Sequence, residues 1–191
     1  STRVRSSAAS DVYKRQKVWG KSQKIDIPED GVVNDIFTID FPQNITQVHF
    51  IKLRLFDTKG KEVANTFYWR SNDKYEGRKT LTGPTSSGFE DLSKLKQVQL
   101  KTRYQTYQEG DRHFIKAEIK NPSSTVAFFT QLQLLGQDKK PVRPSFYTDN
   151  FFSLLPGESK TVIIETAASD MPSEPTFVVK GWNIKPSSFK L

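Results

Sequence analysis

From Ser145 to Val162 the chain reads SFYTDNFFSLLPGESKTV, with four aromatics and two leucines ahead of a Pro-Gly pair and a β-branched run behind it. Pro156-Gly157 predicts a tight turn, because proline presets φ at the first central position and glycine accepts the positive φ that follows. Thr161, Val162, Ile163 and Ile164 then predict a buried strand. Asp149-Asn150 can bond its own backbone and steer the chain between the two apolar clusters. A segment of this kind belongs at the edge and corner of a β-sandwich, and it holds no catalytic constellation.

The same punctuation recurs along the chain. Lys17–Ile27 predicts a strand end, Pro28–Gly31 a turn, and Val32–Phe41 an alternating strand with Val33, Phe37, Ile39 and Phe41 on one face. Val48–Phe56 alternates strictly, and the face of His49, Ile51, Leu53 and Leu55 is expected to be the buried one. Asp57–Gly60 predicts a hairpin loop returning into Val63–Arg70. Further on, Val98–Tyr107, His113–Lys120, Val126–Leu135, Thr161–Glu165 and Phe177–Asn183 predict strands separated by turn residues.

These signals imply an all-β chain of immunoglobulin-like sandwiches, one complete and preceded by part of a second. Such a sandwich takes about seven strands and ~100 residues. Residues 17–70 supply roughly half of one, which the family resemblance given below implies to be the distal half, and 98–184 come close to a complete one. Residues 71–97, rich in Ser, Thr, Lys and Gly, predict a linker with one helical turn at Asp91–Lys96. Residues 185–191 predict a tail.

Ser1–Gln16 shows neither strand nor helix periodicity and resembles a translated sequencing-adapter scar, so it is expected to be a non-native or unstructured tail. It carries four of the 29 basic residues and one of the 21 acids, so a net charge of +5 remains of the +8. A basic arm for nucleic acid is the competing reading. Elsewhere Lys and Arg alternate with Glu and Asp on strand faces, and no RNP-like aromatic motif occurs, so no nucleic-acid partner is expected. There is no cysteine, which removes disulfides, Cys-ligated zinc and thiol nucleophiles. No apolar run approaches the ~20 residues of a membrane span, and no signal peptide is visible, so no membrane partner is expected.

Catalytic motifs are equally sparse. His49 and His113 sit on separate strands without HExxH or HxH pairing, so no metal site is expected. No GxSxG, Walker or dinucleotide fingerprint occurs, and no cofactor is expected. The acids Glu29, Asp30, Asp57, Glu109, Asp111 and Asp138 fall in turns, and Glu158 follows the Pro-Gly turn, where backbone donors are close. Asp149 stands among aromatics, with an Asx turn as its plain explanation. Trp19, Trp69, Trp182, Tyr68, Tyr104, Tyr107 and Tyr147 could stack on sugar rings or fill a core. Asn44-Ile45-Thr46 is a glycosylation sequon.

Three patterns together carry a family resemblance: VHFIKLRLFDTKGKEVANTFYWR, the connector ending LTGPTSSGFEDLSKL, and IKNPSSTVAFFTQLQL…PVRPSFYTDNFFSLLPGESKTV…GWN. They resemble the C-terminal part of glycoside hydrolase family two, in its exo-β-glucosaminidase and mannosylglycoprotein endo-β-mannosidase branch. The resemblance covers Lys17–Ile184 and implies a non-catalytic accessory fragment of a retaining β-glycosidase. The (β/α)₈ barrel with both catalytic glutamates and the neighbouring domains would be its partners, with an oligosaccharide as a further one. No catalytic residue carries over. Trp69, Tyr147, Asp149 and Asn150 are the candidate contacts to sugar or barrel. An independent carbohydrate-binding module is the alternative, and an adhesion-type module that recognises protein is a third class. The residues leave the compartment open; the implied parent would be secreted, periplasmic or lysosomal/vacuolar.

Overall fold

The computed structural model of the chain describes residues 2–11, 19–27, 29–36, 38–41, 43, 45–71 and 88–191. It falls into two compact units, Ser1–Lys94 and Leu95–Leu191. The sequon at Asn44, Phe37, the isolated Tyr75 and Leu81, and most of the expected linker lie outside the described residues.

In the first unit, β1 (Thr2–Asp11), β2 (Lys21–Ile25), β3 (Val48–Phe56) and β4 (Glu62–Ser71) form an antiparallel sheet in the order β2-β1-β3-β4. The hairpin between β3 and β4 follows the sequence expectation. Gly60 takes φ 82°, and Asp57 Oδ1 accepts the N–H groups of Lys59 and Lys61 at 2.9 and 2.8 Å.

Three expectations are corrected in this unit. The segment 1–16, expected to carry no packed structure, contains β1, which pairs with both β2 and β3. Strand pairing is made by backbone groups and needs no apolar alternation. Val32–Phe41 forms no strand at its described residues; Val32 is 81 % exposed and Asp35 takes a left-handed φ of 51°. On β3, burial divides along the strand rather than between its faces. Val48, His49, Phe50, Ile51 and Lys52 are all buried, whereas Leu53 to Phe56 are half-buried. The ring of Phe41 meets His49 edge-on at 4.9 Å, and Phe67 lies 5.5 Å from Phe50, so both faces are covered at that end. Downstream, one turn of 3-10 helix spans Glu90–Lys94, close to the expected helical turn, with Leu92 buried.

The second unit is a sandwich of two four-stranded sheets. Its strands are β5 (Lys101–Glu109), β6 (Arg112–Lys120), β7 (Ala127–Leu135), β8 (Phe146–Tyr147), β9 (Phe152–Leu154), β10 (Ser159–Ala167), β11 (Thr176–Gly181) and β12 (Ile184–Lys190). One sheet runs β5-β6-β10-β8 and the other β12-β11-β7-β9. Alternation fills the core: Ile115, Ala117, Ile119, Val162 and Ile164 from the first sheet are buried together with Leu132, Leu134, Phe177 and Val179 from the second. Gly157 takes φ 80° in the Pro-Gly turn, as the sequence predicts.

Of residues 185–191, expected as a tail, all but Leu191 belong instead to β12. Phe189 lies 5.7 Å from Phe177 and 5.5 Å from Tyr104, so burial of one aromatic draws the segment onto the sheet. Pro186 is tolerated because β12 is an edge strand. Val98 precedes β5 rather than starting it. Its N–H bonds to the carbonyl of Asn183 at 2.8 Å, and its carbonyl accepts from Lys185 at 2.9 Å.

Candidate functional site

The stretch from Phe146 to Leu154 crosses from one sheet of the second unit to the other, and three of the four candidate residues lie on it. Tyr147 is in β8, paired with Ile164 of β10, yet its hydroxyl oxygen accepts the N–H of Leu134 in β7 at 3.0 Å. The side chain therefore ties the two sheets together. Burial pushes the phenol pKa up, opposed by the hydrogen bonds it accepts from Leu134 and shares with Ser145.

Asn150 stands where the next rung of the β7–β9 ladder would fall. Thr130 pairs with Phe152, and two residues further along β7 lies Leu132. The chain leaves the ladder at Phe151, which takes φ 57°. The Asn150 carboxamide completes the rung: Oδ1 accepts the N–H of Leu132 at 2.8 Å, and Nδ2 donates to its carbonyl at 3.0 Å. Asp149 Oδ1 accepts the N–H of Asn150 at 2.7 Å, and the carboxylate is ion-paired with Lys160. The Lys160 ammonium also lies 5.1 Å from the centre of the Phe152 ring. Trp69 belongs to the first unit, on β4 opposite Phe50, and is 42 % exposed.

By sequence, Asn121 falls in the turn after the His113–Lys120 strand and Asn183 ends the Phe177–Asn183 strand, whereas the fold uses both as buried clamps. Asn121 Nδ2 donates to the carbonyls of Thr125 and Leu154, while Oδ1 accepts from the N–H and hydroxyl of Ser123. Asn183 Nδ2 donates to the carbonyls of Lys96 and Val126, and Oδ1 accepts the N–H of Phe128. The usable signal was an asparagine directly beside an apolar strand, where a carboxamide can bond a donor and an acceptor at once.

The remaining polar groups also serve turns and packing. Glu158 accepts the N–H of Leu155 at 2.9 Å, closing the Pro-Gly turn. Asp138 accepts the N–H of Lys140, which holds its carboxyl below the usual range. Tyr104 donates to the carbonyl of Lys190 and packs on Phe177. Tyr107 and Phe114 stack on each other, 5.0 Å apart and 13° from parallel, so they are not a coplanar pair. Among the described residues, no group of three or more His, Cys, Asp or Glu side chains converges as a metal site would require. No described helix is long and apolar enough to cross a membrane.

Residues 80–184 match the family model described as the exo-beta-D-glucosaminidase Ig-fold domain. An exo-beta-D-glucosaminidase of Streptomyces avermitilis is 28 % identical over 179 residues, which cover 88 % of this chain and 20 % of that protein. Its counterpart from Amycolatopsis orientalis is 27 % identical over 157 residues, covering 76 % of this chain and 15 % of that one. The crystal structure of the Amycolatopsis orientalis exo-chitosanase CsxA superposes with a TM-score of 0.83 over 100 % of this chain and 23 % of its own, at 20 % identity. A beta-D-mannosidase from Dictyoglomus thermophilum gives 0.55 over 96 % of this chain and 19 % of its own, at 14 % identity. The structural likenesses bear on the fold alone. The chain spans no more than a fifth of the length of the curated relatives it matches. Asn121, Asn150 and Asn183 all lie inside the matched residues.

Proposed function

Because the chain belongs to the exo-β-D-glucosaminidase Ig-fold domain family, we propose that it is the non-catalytic C-terminal accessory segment of a retaining β-glycosidase acting on terminal β-glucosaminides. One observation carries this reading: the family match falls on the sandwich, and that portion is a small fraction of every relative named above. In the parent, one glutamate would attack the anomeric carbon while a second protonates the leaving oxygen, and water would then release the glycosyl-enzyme. Both glutamates would lie in a barrel encoded outside this chain.

The role left to this segment is mechanical. Catalytic carboxylates act only when held within a fraction of an ångström of their productive geometry, so the barrel that carries them needs firm support. A sandwich closed by buried asparagine clamps is suited to that task. A glucosaminide is favoured over a mannoside because both curated relatives are glucosaminidases, whereas the mannosidase likeness is the weaker structural match.

The test is to read the genomic sequence flanking the region that encodes this chain, express the full-length parent, and assay parent and chain on chromogenic β-glucosaminide and β-mannoside. The parent is expected to cleave the glucosaminide and the chain neither substrate. Turnover that copurifies with the chain, and is abolished by changing Asp149 or Glu158, would refute the proposal.

A further inference from the structure

At one end of the second unit, three aromatic side chains stand in the open, one from the irregular start of β7 and two from the β8–β9 and β11–β12 connections. Phe129, Phe151 and Trp182 are 39, 49 and 61 % exposed. The rings of Phe129 and Phe151 lie 5.4 Å apart, and Phe129 in turn meets the buried Phe128 at 5.7 Å. Trp182 is joined to the same corner through its backbone, whose N–H donates to the carbonyl of Phe128 at 3.1 Å.

The exposure is built, not slack. Phe129 and Phe151 both take φ 57°, a left-handed backbone that a bulky L-residue rarely adopts. The ladders are irregular beside both neighbouring corners, between Ala127 and Thr130 and between Val179 and Gly181. Gly181 has room for a hydrogen only, since an added Cβ would sit 2.8 Å from the carbonyl oxygen of Phe129. Asn183 holds the N–H of Phe128 and Asn150 that of Phe151. Strain retained at an exposed apolar cluster points to a role outside the local fold.

We infer that Phe129, Phe151 and Trp182 form the surface by which this segment docks onto the remainder of its own polypeptide. The inference rests on the accessory-segment reading above. Relatives carry about four-fifths of their length or more outside the matched portion, so the proposed occupant is large and covalently attached. Two of the three rings are phenylalanines, which offer no polar atom to a sugar hydroxyl and suit a dry protein contact. A short aromatic anchor is enough for an intramolecular contact, because the linkage supplies a high effective concentration.

Residue-resolved hydroxyl-radical footprinting of the 191-residue chain and of the full-length parent tests this. In the chain the three rings are expected to be labelled; in the parent their labelling should fall to that of Phe177, which is 0 % exposed. Trp182→Ser should lower the melting temperature of the parent by more than that of the isolated chain, and equal losses in the two would overturn the inference. Equal labelling in parent and chain overturns the inference while leaving the accessory reading intact, whereas a locus without a barrel overturns both. Protection of the isolated chain by glucosamine oligosaccharides, or protection that grows with its own concentration, would assign the surface to sugar or to self-association and also overturn it.

Discussion

The side chain of Asn150 bonds both backbone groups of Leu132, accepting from the N–H at 2.8 Å and donating to the carbonyl at 3.0 Å. A neighbouring antiparallel strand would satisfy both groups through its own backbone. Here the chain has already turned away at Phe151, and one carboxamide replaces the missing rung. Leu132 is fully buried, so water is a poor substitute partner for its peptide groups.

Asn150→Ala is therefore expected to destabilise the second unit by about 2–4 kcal/mol, since it leaves one donor and one acceptor unsatisfied. Asn150→Asp keeps the acceptor but sets a carboxylate against the Leu132 carbonyl. The introduced carboxyl can donate only when protonated, so its folded pKa should be raised. Its contribution is then fully present below the unfolded value of about 3.9 and is lost as pH rises through the folded one. Urea unfolding across the acid range should show the gap to the wild type narrowing as pH falls. A gap independent of pH would show that the amide donor is unimportant.

Tyr147→Phe removes the acceptor of the Leu134 N–H and the link between sheets, at an expected cost of about 1–3 kcal/mol near neutrality. The variant should also lose an alkaline transition. Burial raises the Tyr147 pKa above its ordinary 10.0, so the stability that the phenol contributes is complete below the unfolded value and disappears as pH rises through the folded one. Wild-type stability should consequently fall faster than that of Tyr147→Phe above roughly pH 10. Parallel alkaline melting curves for the two proteins would contradict the buried-phenol account.

Much of this architecture is legible in the sequence because turn chemistry and alternation agree. His113 to Lys120 alternates cleanly and becomes β6 with Ile115, Ala117 and Ile119 inside. The final strand escaped notice because Pro186-Ser187-Ser188 looks like a tail, and its pairing depends on Phe189 finding Phe177. Val32–Phe41 shows the opposite failure, an alternating pattern that makes no ladder at its described residues. At the candidate site, Tyr147, Asp149 and Asn150 were conspicuous as polar groups among aromatics. What local pattern could not supply was their partners: Leu134 and Leu132 lie 13 and 18 residues away on another strand. The clamping role of Asn121 and Asn183 was hidden for the same reason, the latter bonding groups 55 to 87 residues distant.

Gly181→Ala is expected to destabilise although Gly181 has no left-handed φ. Its added methyl would approach the carbonyl oxygen of Phe129 to 2.8 Å and that of Phe128 to 3.1 Å, and both are backbone atoms that cannot swing aside. The clash with Ile184 Cδ1 at 2.5 Å is easier to relieve, because that atom ends a side chain. Displacing the corner should cost about 1–3 kcal/mol in thermal or denaturant unfolding. Gly136→Ala makes a matched control, since its nearest neighbour would be a side-chain oxygen at 3.4 Å. Equal losses in the two variants would remove the steric explanation.

The two units should differ in their ability to stand alone. The second closes a core between two sheets, and every residue of its buried cluster lies between Val98 and Ile184. Each large apolar side chain in that cluster contributes roughly 1.5–3 kcal/mol by leaving water, which is substantial against a net domain stability of about 5–15 kcal/mol. The first unit has one described sheet, and its edge strand β4 shows Val63, Tyr68 and Trp69 at 53, 48 and 42 % exposure. An exposed apolar edge is a template for aggregation. A piece comprising residues 88–191 is therefore expected to be monomeric in size-exclusion chromatography and to melt cooperatively by circular dichroism. A piece comprising residues 17–71 is expected to aggregate, because it loses β1 from between β2 and β3 and opens a second edge on β3. Restoring residues 1–16 should improve its solubility, and the amides of Thr2–Asp11 should then be protected from exchange. A monomeric 17–71 piece with a sharp transition would mean that this unit closes a core without β1, and that it is a domain in its own right.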